Sequence, residues 1–274
     1  MEKSISNGLP TGRPLIHLKR ITQIRNHIVD GPNHYVSVSL TEPRSENREA
    51  LIRGIRRILP YIYRSPDEVL AIMRRLGLDF AAGIPLPPSS RFQWAHAGEI
   101  LICVYFEECE ESEVLTYKWR LNTSRNQHQL GMDILAFNLK LTPPHIYAIA
   151  VKTTSQGENG KTPSVVYDAN NELETYLNSD KLDDDLSIIS ANFHSDEERW
   201  RAFEAWYDPY SQKLPADKPK LIPVPAFVTD AVSWRDEYAH PAIQKDFGIP
   251  GAVRVFCVDD LEKMVQQVYA RDGI

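Results

Sequence analysis

The ten residues His145-Ile-Tyr-Ala-Ile-Ala-Val-Lys-Thr-Thr154 constrain this chain more than any other stretch. As a strand they set Ile146, Ala148, Ala150 and Lys152 on one face and Tyr147, Ile149 and Val151 on the other. Both faces are apolar until the lysine, so the strand must be covered on both sides. Cover on both sides means helices on both sides, and so an α/β architecture with this strand near its centre. Lys152 then ends a buried strand, and its ammonium has to reach water, an anion or a carboxylate.

The neighbouring elements follow from period and punctuation. Alternation predicts a strand over 34–40. A helix over 46–59 comes next, with Leu51, Ile55, Ile58 and Leu59 on one stripe and Arg53, Arg56 and Arg57 off it; Pro60 is expected to end it. Ser65-Pro66-Asp67-Glu68 starts another helix, with a cap, a first-turn proline and acids at the positive end of the dipole. It packs through Val69, Ile72, Met73 and Leu76 and stops at Gly77. The stretch Gly83-Ile-Pro-Leu-Pro-Pro-Ser-Ser90 reads as a linker. It divides the chain into an N-terminal α/β segment, 1–88, and a larger domain, 89–274. In the larger part a helix over 96–107 precedes strands over 116–121, 132–139 and 145–153. A loop over 155–163 leads to helices through Tyr176 and around Trp200, Phe203 and Trp206, and a strand (253–258) and a helix (260–271) finish the chain. The fold class is α/β, a mixed central sheet flanked by helices.

Composition narrows the setting. The chain has 274 residues, enough for a sizeable core. No apolar run approaches the length of a membrane span, and the N-terminus lacks the apolar region of a signal peptide. Cys103, Cys109 and Cys257 are too scattered for a disulfide framework or a zinc site, so a reduced, cytoplasmic protein is expected. A net charge of −6 argues against whole-surface binding to nucleic acid and leaves room for a local basic groove. Residues 44–75 carry eight Arg against four acids, whereas acids dominate 168–198. A partner or nucleic acid is expected at the N-terminal half, unless these are only solvated helix faces.

Chemistry enters with Asp133, which opens the apolar run before the central strand. If the two strands are neighbours, Asp133 and position 150 approach each other at the sheet's edge. Phosphodiester hydrolysis asks for such a place: hard cations need carboxylate oxygens, and a lysine adds charge where negative charge develops. The plain readings are a strand-start cap for Asp133 and a sheet-end snorkel for Lys152. Other motifs fail. The acids of 107–113 have no accompanying His and read as a solvated helix end. Asp183-Asp184-Asp185 lacks the Gly and Glu of a calcium loop, and Gly160-Lys161-Thr162 has Ser155 where a phosphate loop begins with Gly. His96 and His128 read as structural or surface residues.

Asp133, position 150 and Lys152 resemble the D…(D/E)xK pattern of the restriction-endonuclease-like superfamily. Gly98-Glu99-Ile100-Leu101, the stretch GMDILAF from Gly131 and the strand IYAIAVKTT together resemble the HamA family, nuclease subunits of the Hachiman anti-phage defence system. The resemblance is firm over 91–154 and general in length and layout elsewhere. It implies a restriction-endonuclease-like fold for 89–274 and a deoxyribonuclease that uses Mg2+ or Mn2+. It implies Glu99 and Asp133 as metal ligands, joined by the backbone carbonyl of Val151, with Lys152 as the catalytic lysine. It implies a superfamily 2 helicase partner, HamB, that restrains the nuclease until aberrant DNA is sensed. The departure is Ala150, where the family pattern has Glu. Losing that carboxylate predicts activity lower by orders of magnitude. A replacement made to silence a toxic nuclease and a natural pseudo-nuclease are both open; retention of Glu99, Asp133 and Lys152 favours the first. The alternative function is a non-catalytic subunit that uses a nuclease fold to hold DNA or regulate the helicase.

Overall fold

In the computed structural model, which describes residues 14–64, 66–76, 87, 89–115, 117–118, 131–155, 162–192, 197–212 and 218–270, the central strand is β4 (His145–Thr154). It lies inside a six-stranded sheet with β1 (Thr22–His27), β2 (His34–Leu40), β3 (Ile134–Asn138), β5 (Lys220–Asp230) and β6 (Ala252–Val258), in the order β1-β2-β6-β5-β4-β3. β2, β6, β5 and β4 are parallel; β1 and β3 run antiparallel to their neighbours at the two edges. The expected mixed sheet flanked by helices is what the chain forms.

The faces of β4 separate as its alternation requires. Ile149 and Val151 join a core with α1 (Leu18–Ile21), α2 (Arg44–Tyr63), α4 (Ser90–Cys109) and α9 (Leu261–Tyr269). Ile146, Ala148 and Ala150 join a second core with α5 (Ser164–Leu177), α6 (Lys181–Asn192), α7 (Glu197–Ser211) and α8 (His240–Ile243). α4 is buried all along 97–106, so it lies inside the molecule rather than on its surface. On α7, Phe203 stacks on Tyr207 and Trp206 on Tyr210, which makes this aromatic run core packing.

Several expectations need correction. α2 does not stop at Pro60 but runs to Tyr63, because Ile58, Leu59 and Ile62 continue its apolar stripe and are fully buried. Packing there outweighs the hydrogen bond that the proline removes. α3 (Pro66–Leu76) takes the helical span read for it, with Val69 buried; the expected cap at Ser65 and stop at Gly77 lie outside the described residues. β1, β5 and α6 had no counterpart in the sequence reading. The acids of 107–113 are not merely solvated: the Glu108 carboxylate accepts the N–H groups of Ile16 at 2.8 Å and Leu18 at 2.7 Å, and Glu110 pairs with Arg254 at 2.9 Å. Of the strand expected over 116–121, only Tyr117 and Lys118 lie among the described residues. His128, most of the 155–163 loop and most of the 83–90 linker lie outside them.

Residues 14–76 and the rest of the chain share one sheet, since His34–Ser39 of β2 pair with Ala252–Cys257 of β6. The Arg-rich helix α2 also works inwards. Arg56 donates to the carbonyls of Gln267 at 2.8 Å and Ala270 at 3.3 Å, at the C-terminal end of α9. Arg57 donates to the Leu15 carbonyl, and Arg44 pairs with Asp259 at 3.3 Å.

Candidate active site

The site forms where β4 ends and β3 begins. Ile134 pairs with Ile149, so one further step of the same register sets Asp133 opposite Ala150. The Asp133 carboxylate turns towards the end of β4, and its Oδ2 accepts the Val151 N–H at 2.9 Å. The preceding turn is pinned from behind. Asp185 of α6 accepts the Gly131 N–H at 2.7 Å and the Tyr176 hydroxyl at 2.9 Å.

Glu99 arrives on α4, and the residue before it explains how. A Cβ on Gly98 would stand 1.9 Å from Thr153 Oγ1. Only glycine lets the helix approach β4 this closely, and the approach carries the Glu99 carboxylate to the strand's end. Glu99 and Asp133 then converge on one cation, the ammonium of Lys118. Lys118 Nζ lies 2.6 Å from Asp133 Oδ1 and 2.9 Å from Glu99 Oε2. Glu99 and Lys118 are each only 5% exposed. The contact with Glu99 is an ion pair off the hydrogen-bonding angle, so Glu99 Oε2 has no aligned donor; Thr153 Oγ1 is also buried without a hydrogen bond.

The electrostatics follow the burial. Burial pushes the Glu99 carboxyl up to about 8, against the pull of Lys118. Burial works the same way on Asp133, but Lys118 and Lys152 outweigh it and hold that carboxyl below its ordinary value. Burial alone lowers Lys118; Glu99 and Asp133 reverse this and raise it above an ordinary lysine.

Lys152 is on the opposite face of β4 and pairs with Glu172 of α5. A cavity of about 650 Å³ gathers Glu99, Lys118, Asp133, Val151 and Lys152, with Arg91, Phe92, Trp94, Ala95, His96, Thr153, Thr154, Ser155 and Val165 around them. Four of the residues singled out from sequence, Glu99, Asp133, Val151 and Lys152, therefore line one space. Ala150 does not: it is fully buried in the apolar core beneath α5. His96 reaches the cavity wall and is hydrogen-bonded through Nδ1 to the Tyr63 hydroxyl at 2.9 Å.

Two site residues had escaped the sequence. Lys118 sits in a short polar and aromatic segment with nothing to mark it, and Glu172 is one acid among several on an amphipathic helix. The arrangement offers two carboxylates directed at one cation, with a second ammonium nearby. Among the described residues, no group of three His, Cys, Asp or Glu side chains is placed to hold a metal ion.

A family model described as HamA matches residues 16–271. No curated protein matches the chain. The match spans nearly the whole sequence, and the chain belongs to the HamA family.

Proposed function

We propose that this HamA-family chain, a component of a Hachiman defence system, is its DNA nuclease effector, built on a restriction-endonuclease-like fold and working with the superfamily 2 helicase HamB. The observation that carries the reading is the convergence of Glu99 and Asp133 on a single cation at the end of β4, beside Lys152 and inside one cavity. The carboxyl end of a parallel strand is a common place for a ligand site.

The donor set fits Mg2+ or Mn2+ in part. Two carboxylates already surround a cation, and both are hard oxygen ligands. Glu99 and Asp133 would hold the metal, with the Val151 carbonyl as a further oxygen. A bound divalent ion supplies positive charge to the scissile phosphate and acidifies a water. The Val151 N–H fixes the Asp133 carboxylate in place. Lys152, held by Glu172, adds positive charge where negative charge grows on the phosphate. The element in deficit is the third carboxylate, where Ala150 stands.

A second reading keeps the fold and drops the chemistry: a subunit that holds DNA or regulates the helicase without cutting. The full burial of Ala150 in an apolar layer favours it. Nicking of supercoiled plasmid in Mg2+ or Mn2+ separates the two. Ala150→Glu is expected to nick at least ~100-fold faster than the parent chain, and Asp133→Asn added to it should abolish the gain. Equal DNA binding by parent and A150E, with no cleavage by either, establishes the binding subunit instead.

A further inference from the structure

Lys118 is a lysine almost closed off from water, and nothing in the proposed chemistry uses it. Its ammonium lies between the two carboxylates that would hold the metal, 2.6 Å from Asp133 and 2.9 Å from Glu99. It lines the same cavity. Two acids brought together this closely in a buried place repel when both are charged, unless a cation separates them. In the metal-free chain Lys118 is that cation. Oxygen atoms around it are also incompletely used: Glu99 Oε2 has no aligned donor, and Thr153 Oγ1, on the cavity wall, has no hydrogen bond.

Resting on the metal-nuclease reading, we propose that Lys118 is a built-in cation that competes with the divalent metal for Glu99 and Asp133. Metal and ammonium cannot both stand between the same two oxygen atoms at these distances. Metal binding therefore includes the cost of displacing Lys118 from a buried ion pair. In return, Lys118 keeps the carboxylates converged when no metal is bound. The apparent metal affinity is set by this exchange, so the resting chain is biased towards the metal-free state.

The test compares Mn2+ binding by calorimetry, and Mn2+-dependent melting, in the full chain, Lys118→Met and Lys118→Gln. Removing the competitor should tighten Mn2+ binding at least tenfold, and the rise in Tm with Mn2+ should be larger than in the parent. A merely structural lysine would weaken binding when lost, not strengthen it. The parent chain gives a check that needs no variant: brief amine acetylation read by mass spectrometry should label Lys118 faster in Mn2+ than without it. Variants that bind Mn2+ no more tightly than a parent that does bind it, or labelling at Lys118 that Mn2+ leaves unchanged, overturn the exchange and leave the metal reading standing. No Mn2+ binding by any of the three chains overturns both.

Discussion

Asp133 and Lys152 were legible because each stands where an apolar strand should have no charge. Glu99 was legible only through a resemblance, since a glutamate on a helix is ordinary by itself. Lys118 was not legible at all: its meaning comes from two carboxylates 19 and 15 residues away in sequence, and no local pattern carries that distance. The same cluster fixes a pH dependence. In the metal-free chain the Glu99 carboxyl is raised from 4.5 to about 8 by burial, so the folded state holds its proton more tightly than the unfolded state does. Stability from this group is present below about 4.5 and is lost as the pH rises through about 8. Urea denaturation of the metal-free chain at a series of pH values should show this loss, on the order of a few kcal/mol across the window. Glu99→Gln should flatten the curve; a variant whose curve falls as steeply as the parent's would remove Glu99 as the cause.

The elements that the sequence revealed are those whose side chains obey one period. β4 is apolar from Ile146 to Val151, β6 is apolar but for Arg254, and α2 carries a clean stripe. The elements that stayed hidden break such rules for local reasons. β1 is an edge strand with most of its residues exposed, so it has little hydrophobic pattern to read. β5 contains Pro223 and Pro225, which argue against a central strand. Both lie ahead of Ala226, where pairing with β6 begins, so on that side there is no ladder for them to break. α6 opens with acids that suggest a loop, yet Asp185 is an internal tie to Gly131. Among these contacts, the approach of α4 to β4 is the one on which the site depends. Gly98→Ala would drive a methyl into Thr153 Oγ1. It should destabilise the chain by about 1–3 kcal/mol, as overpacked cores do. Thr153→Ala in the same chain should recover most of that loss in chemical denaturation. If the double variant is no more stable than G98A alone, the close contact is not the reason for the glycine.

At the scale of the molecule, composition draws a boundary at 83–90, whereas pairing across the sheet leaves no trace in composition. β2 and β6 are more than 200 residues apart, and only the folded chain brings His34 beside Ala252. The Arg excess of 44–75 is likewise used largely within the chain: Arg44, Arg48, Arg56 and Arg57 reach Asp259, Asp260, the end of α9 and Leu15. What remains for a partner on that segment is smaller than the charge count suggests. The consequence can be tested by deletion. Removing 1–88 takes away β1 and β2, and it strips Leu51, Ile55, Ile58, Leu59 and Ile62 from a core shared with α4 and α9. It also leaves β6, an apolar strand, as an open edge, and such edges aggregate. Residues 89–274 alone should therefore be insoluble or melt without a cooperative transition, although they contain Glu99, Lys118, Asp133 and Lys152. Circular dichroism melting and size-exclusion chromatography decide the matter. A monomer with a sharp transition would make 83–90 a true domain boundary and would return the N-terminal segment to the role of a separable, partner-facing unit.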